Sequence, residues 1–311
     1  MFEKQKVCFI GAEMKGDYCA EGIRQLGYRF ITPYKDYNLL LRCMREAWFR
    51  LKLPGRSRWY NPKCAIEQAE LFVVRDSLMS AEYLQWLRKK HPQARIVLEY
   101  ENMVAKTMNP DTVTDTSIEK YTYDAGDAKQ YGMKMRKQVE GYYDSWVCHK
   151  TVPPVYDIVY VGRDKGRAQQ LFVFENKLKE LGQKTYFHIC PDRRFLRWKK
   201  SYYKPLLNYR QYLALMGKTK AILNIVQSGA KSITMREIEG AFHTVKCITD
   251  NPYIKNFWLY HPSRYFVLGV DPLESLPAFM DMPFVPITEE ERDKLRFDRA
   301  VESLYLDGVQ N

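Results

Sequence analysis

Short apolar runs alternate with amphipathic stretches along this chain, the pattern of β–α units built on a mainly parallel sheet. The first run, Val7–Ile10, predicts a strand. Residues 17–26 predict a helix with Cys19, Ile23 and Leu26 on one face and Gly27 placed to end it. A second strand is expected at 29–32 and a basic amphipathic helix at 39–51, followed by a loop rich in proline, glycine and arginine at 54–61. Strands are expected again at 71–74 and 95–99, with a helix at 81–89 between them. The polar segment 103–117 contains Asn109-Pro110 and predicts a loop, with further short strands at 120–123 and 145–148.

Thr151, Val152, Pro153 and Pro154 interrupt any regular element and read as a domain linker. The pattern then restarts. Strands are expected at 157–161, 185–190, 221–226 and 245–249, and helices at 168–181, 209–216, 235–242 and 289–304. The first of these helices aligns Leu171, Phe174, Leu178 and Leu181 and stops at Gly182. Both halves therefore open alike. One reads strand, Gly11, Lys15-Gly16, helix, Gly27, strand; the other reads strand, Gly162, Lys165-Gly166, helix, Gly182, strand. The duplication predicts an α/β fold of two Rossmann-like domains facing across a cleft, divided at 1–150, 151–285 and a terminal segment 286–311.

A length of 311 residues suits two domains. The formal net charge of +12 favours phosphorylated or polyanionic partners, or an anionic membrane surface. Seven cysteines show no close pairing and five histidines are scattered, which argues for unpaired thiols in a reducing compartment and against a zinc site. No signal-like core opens the chain, and no apolar run reaches the length that spans a bilayer. The expectation is a soluble cytoplasmic protein, at most peripheral at the inner face of the cell membrane.

Two loops carry the chemistry. The first, Val161-Gly-Arg-Asp-Lys-Gly-Arg167, lies where a strand ends and a helix begins, so backbone N–H groups and the helix dipole favour an anion. Arg163, Lys165 and Arg167 add positive charge, and Gly162 and Gly166 let the backbone turn and approach a ligand. That combination suits a diphosphate whose charge must be stabilised on leaving. In the second loop, before the helix at 235–242, Thr234 and Glu237 have capping-box spacing and Arg236 and Glu239 share a helix face. A glutamate there suits the hydroxyls of a ribose, and the arginine a phosphate.

Dinucleotide-binding and ATP-hydrolysing fingerprints are absent, as are a nucleophile elbow and H-E-x-x-H. No Asp-x-Asp pair offers a metal–diphosphate anchor, so cationic side chains would replace a metal. Basic-aromatic stretches occur at 42–58 and 193–204. The first leans toward contact with a membrane or an acceptor. No nucleic-acid motif accompanies either, so no nucleic-acid partner is expected.

The segments YDIVYVGRDKGR (156–167), SITMREIEGAFHTVKCITDNPYI (232–254) and YTYDAGDAKQYGMK (121–134) together resemble bacterial glycosyltransferases of capsule, exopolysaccharide and lipopolysaccharide assembly. These have the two-Rossmann-domain architecture called GT-B. The resemblance covers residues 120–268 and is weak before residue 100. It implies transfer of a sugar from a nucleotide-sugar donor to a glycan or lipid-linked acceptor, with no further cofactor. Gly162, Arg163 and Lys165 would meet the donor diphosphate, Thr234 and Arg236 would lie opposite, Glu239 would hold the ribose, and His188 would lie near the base. The acceptor side would include Gly11, Lys15 and Gly16, and the final helix would cross back onto the N-terminal domain. Many retaining members carry a glutamate eight positions before the one matching Glu239; Lys231 stands there instead, which weakens a retaining assignment. An inverting reaction would need one general base, for which Asp17, Asp76 and Glu101 are candidates. A nucleotide-sugar epimerase, or an inactive nucleotide-sugar-binding protein on the same fold, are the alternatives.

Overall fold

A computed structural model describes residues 3–12, 18–76, 81–136, 142–192, 200–226 and 233–302. The chain divides into two compact units, Met1–Val139 and Glu140–Asn311. In the first unit, β1 (Val7–Ile10), β2 (Arg29–Ile31), β3 (Leu71–Arg75), β4 (Arg95–Tyr100), β5 (Ile118–Thr122) and β6 (Lys134–Met135) form one sheet in the order β2-β1-β3-β4-β5-β6. Every pairing is parallel. Helices α1 (Tyr18–Gln25), α2 (Leu39–Arg50), α3 (Lys63–Ile66), α4 (Ala81–Lys90) and α5 (Ala125–Tyr131) connect the strands.

The second unit repeats the plan. Here β7 (Tyr156–Arg163), β8 (Thr185–Cys190), β9 (Thr219–Asn224), β10 (Lys246–Thr249) and β11 (Tyr265–Val267) run parallel in the order β11-β10-β9-β7-β8. The helices are α6 (Ala168–Glu180), α7 (Tyr209–Met216), α8 (Met235–Phe242), α9 (Leu276–Asp281), α10 (Glu289–Leu295) and α11 (Phe297–Val301). Counted within its own unit, each sheet begins with strands in the order 2-1-3-4-5, so each has a topological switch point between its first and third strands. Both units are Rossmann-like.

The continuous apolar runs fold this way because helices cover both faces of a parallel sheet. All residues of β1, β3 and β10 are buried, which an alternating sequence would not permit. Around Phe72, Leu84 and Leu98 lies the first core; Ile158, Leu178 and Phe266 belong to the second. The stop signals also hold. Tyr28 N–H returns to Ile23 and Gln183 N–H to Leu178, closing α1 and α6 over Gly27 and Gly182, both left-handed.

The structure departs from the sequence expectations in three places. Residues 145–148 form no strand: Trp146 turns inward against Tyr209, with the Arg210 guanidinium 4.0 Å over its ring. The final helix is broken at Arg296, whose extended backbone separates α10 from α11. There Tyr142 accepts from Phe297 N–H and donates to the Leu295 carbonyl, a bridge that a continuous helix would forbid. Elements α3, α5, β6, β11 and α9 were not anticipated at all. None of the seven cysteines forms a disulfide, and five of them are buried.

Candidate functional site

At the switch point of the second unit, β7 runs into α6 through Asp164, Lys165, Gly166 and Arg167. Asp164 N–H extends the ladder to the Cys190 carbonyl at 2.8 Å. Its carboxylate then turns back, and Oδ1 accepts from Ala168 N–H at 2.8 Å. Asp164 therefore caps α6 and takes a helix-start donor that the sequence reading left for a phosphate. Burial disfavours its charge, but the Tyr203 hydroxyl at 2.6 Å and the Ala168 and Arg167 N–H groups outweigh that, holding its carboxyl below the usual range. Lys165 and Gly166 both have left-handed backbone, φ 48° and 74°, which makes the tight turn. Gly162 has a different reason to lack a side chain: a Cβ there would come within 2.5 Å of the Tyr160 hydroxyl.

The cations of this loop are spread along the sheet edge. Arg163 donates to the Asp192 carbonyl at 2.8 Å, and Lys165 N–H to the Asp192 carboxylate at 2.9 Å. Arg167 reaches furthest. It donates from Nη1 to the Ile225 carbonyl at 2.9 Å and from Nη2 to the Tyr160 hydroxyl at 3.2 Å. The guanidinium thus spans the switch point, from the start of α6 to the end of β9. Among the described residues no carboxylate pairs with it.

Helix α8 starts beside it. Thr234 donates to the Glu237 carboxylate from N–H at 2.7 Å and from Oγ1 at 3.1 Å. Asn224 donates to Thr234 Oγ1 at 3.1 Å, and Thr249 to Glu237 at 2.8 Å. This largely buried network ties the start of α8 to the ends of β9 and β10; burial raises the Glu237 carboxyl above the ordinary range. Arg236 pairs with Glu239 at 2.9 Å and stacks 3.9 Å over the Tyr212 ring. Glu239 is almost closed off, its side chain 3% exposed, whereas that of Arg236 is 28% exposed. Burial and the neighbouring Glu239 push the Tyr209 phenol well up. Arginine rather than glutamate is therefore the solvent-facing member of the pair. Burial raises the Tyr160 phenol, and the guanidiniums of Arg167 and Arg236 both oppose that rise. The two helix starts meet the same strand end: Arg167 reaches the Ile225 carbonyl just past β9, and Asn224, the last residue of β9, donates to Thr234.

His188 lies on β8 with both ring nitrogens engaged, one 2.8 Å from the Pro205 carbonyl and one 3.3 Å from the Tyr186 hydroxyl. Burial lowers its pKa below the ordinary histidine value.

The first unit's switch point is built differently. Gly11 follows β1, and a Cβ there would sit 3.1 Å from Arg75 Cδ, so the glycine gap is filled by that arginine. Arg75 meets Glu101 at 2.9 Å, Glu99 at 3.9 Å and Cys19 Sγ at 3.0 Å. Arg136 meets the other oxygen of Glu99 at 2.5 Å. Asp76 is buried, and its oxygens accept from Glu101 N–H at 3.2 Å and Asn102 N–H at 3.3 Å. Burial raises its carboxyl despite those bonds. Asp76 thus shapes the β4 exit, and Glu101 is the more open of the two described candidate bases. Lys15, Gly16 and Asp17 lie outside the described residues.

Sequence reasoning missed Arg75, Glu99 and Arg136, although a charge closing an apolar strand, as in LFVVR, was the available signal. It also missed Asp164 as a cap and Asp192 as an anchor. Among the described residues no cluster of three or more His, Cys, Asp or Glu could hold a metal, and no helix is long and apolar enough to cross a membrane.

No protein-family model matches the chain, and no curated protein matches it. Among solved structures, a lipopolysaccharide outer core galactosyltransferase, WaaB, in its apo form is similar at 12% identity and a TM-score of 0.47, covering 97% of this chain and 100% of that one. A glycotransferase of kitacinnamycin is similar at 11% identity and a TM-score of 0.43, covering 96% of this chain and 95% of that one. Both likenesses are of fold.

Proposed function

We propose that the second unit binds the diphosphate of a nucleotide sugar, and that the protein transfers the sugar to a glycan or lipid-linked acceptor without requiring a metal. One observation carries the reading. Arg167 stands at the switch point between two helix starts, held among the described residues by neutral oxygens, so its charge is positioned there without being cancelled by any of them. Arg163, Lys165 and Arg236 add charge on the same edge of the sheet. As the glycosidic bond breaks, negative charge grows on the departing nucleoside diphosphate, and fixed cations there lower the barrier. Glu239 serves by orienting Arg236 and, with Thr234, by completing the wall toward the ribose. The base that accepts the acceptor's proton is one of Asp17, Asp76 and Glu101, and the exposure of Glu101 supports it over Asp76.

The test is a melting curve with UDP, GDP or CDP in the presence of EDTA. At least one should raise the melting temperature, and Arg167→Met should remove the rise. No shift with any nucleoside diphosphate would sink the donor reading. Turnover of a nucleotide sugar with no acceptor present would instead favour an epimerase, and binding without turnover an inactive binder.

A further inference from the structure

Helix α2 sits the opposite way round from an ordinary surface helix. Of its twelve residues only Arg45 is buried, its guanidinium 4.4 Å over the Tyr34 ring and paired with Glu46 at 2.8 Å. Phe49 also faces inward, edge-on to Tyr34, and the Trp48 indole N–H donates to the Pro54 carbonyl at 2.9 Å. Three of the four leucines at 39–51 point out. Leu39 is 77% exposed, Leu40 and Leu51 70%, and Met44 48%. With Cys43 and Ala47, also exposed, they fill one continuous arc at a hundred degrees per residue.

Cations rim that arc. Residues 39–58 contain six arginines and lysines against one acidic residue, Glu46. Arg56 pairs with Glu82 and Arg45 with Glu46. Among the described residues no carboxylate pairs with Arg42, Arg50, Lys52 or Arg58. On the helix wheel Arg42 lies on one flank of the apolar arc, beyond Glu46, and Arg50 falls just inside the edge of the arc, between Leu39 and Cys43. On the other flank Arg58 stacks 5.2 Å from the centre of the Trp48 ring. A protruding apolar ridge set between positive charges needs hydrocarbon beneath a layer of anions. Neither a nucleic acid nor an acidic peptide offers both.

We propose that α2 lies flat on an anionic lipid bilayer, with Leu39, Leu40, Met44 and Leu51 below the headgroups and Arg42, Arg50, Lys52 and Arg58 among them. The proposal goes beyond the donor reading and does not rest on it. Co-sedimentation of the full chain with vesicles tests it, using phosphatidylcholine alone or with about 30% phosphatidylglycerol. The chain should pellet with the anionic vesicles at least tenfold more strongly than with neutral ones, and salt should weaken the binding. The double variant Leu40→Glu, Met44→Glu should lose at least tenfold in binding while keeping its melting temperature and its response to nucleoside diphosphate. If that variant unfolds, Arg42→Gln with Arg50→Gln takes its place. Wild-type protein left in the supernatant with anionic vesicles would overturn the proposal, as would folded variants that bind undiminished. A dimer in solution that falls apart in the double variant, without vesicle binding, would assign the face to a second copy of the chain.

Discussion

Arg75 and Arg167 bridge the same two places in two sheets of matching strand order, the exits of the first and third strands, yet their surroundings are opposite. Arg75 lies between buried Glu99 and the more open Glu101, with buried Arg136 completing a set of two positive and two negative groups. Arg167 touches two carbonyls and a tyrosine hydroxyl. The first arginine is neutralised where it stands and ties strands together. The second keeps its charge, and a fixed uncancelled charge in a crevice draws an anion. Equal position in the fold therefore does not mean equal chemistry; the ends of the neighbouring strands decide.

The largest expected effect lies in the first unit. Arg75→Met leaves carboxylates partly buried without their partner and should cost about 3 kcal/mol of stability, read by urea unfolding. It should leave the nucleoside diphosphate shift of the folded protein unchanged. Loss of that shift without loss of stability would reverse the roles assigned to the two arginines.

Next in size is a pH effect confined to the second unit. His243 closes α8, is almost wholly buried, and has its pKa pushed down to about 3 by burial and by the nearby charges of Arg292 and Lys150. Its ordinary value is 6.5, so between those values the unfolded chain takes up a proton that the folded chain refuses. Stability is full above pH 6.5 and falls as the pH drops toward 3. His243→Gln should flatten that limb of the urea-midpoint profile; an unchanged slope would locate the acid sensitivity elsewhere.

The matching substitution in the second unit, Arg167→Met, should cost only about 1 kcal/mol of stability, since the oxygens it leaves are neutral. Nucleoside diphosphate binding should weaken at least tenfold, which calorimetry would read directly. The comparison breaks if Arg75→Met and Arg167→Met change binding by the same factor.

Much of this was legible from the sequence, for a physical reason. Strands buried on both faces leave continuous apolar runs, and a glycine that ends a helix stands at a fixed place after it, so β1, β7, α1 and α6 could be read directly. Tyr265, Phe266 and Val267 form too short a run to announce β11, and α9 opens on Leu276-Pro277. The break at Arg296 depends on Tyr142, far away in the chain. For α2 the periodicity gave an amphipathic helix but not which side is wet: Tyr34 accepts a guanidinium and leaves the leucines outside. At the site, the cationic loop was plain, whereas the capture of the α6 N-terminus by Asp164 was not. A carboxylate two residues after a glycine can cap a helix or leave it open, and only the positions of Ala168 and Tyr203 choose between them.

The smallest effect concerns Lys165, whose left-handed backbone is uncommon for a residue with a side chain. Lys165→Gly removes that strain but frees the unfolded chain by a similar amount, so stability should move by no more than about 0.5 kcal/mol. If the ammonium helps hold a diphosphate, as proposed, binding should fall about threefold, the scale of one exposed charge contact. Lys165→Asn separates the two contributions, since asparagine tolerates the left-handed region and lacks the charge. Equal weakening in both variants assigns the loss to the missing charge. Weakening in the glycine variant alone would mean that the turn's rigidity, and not its cation, is what the second switch point contributes at this position.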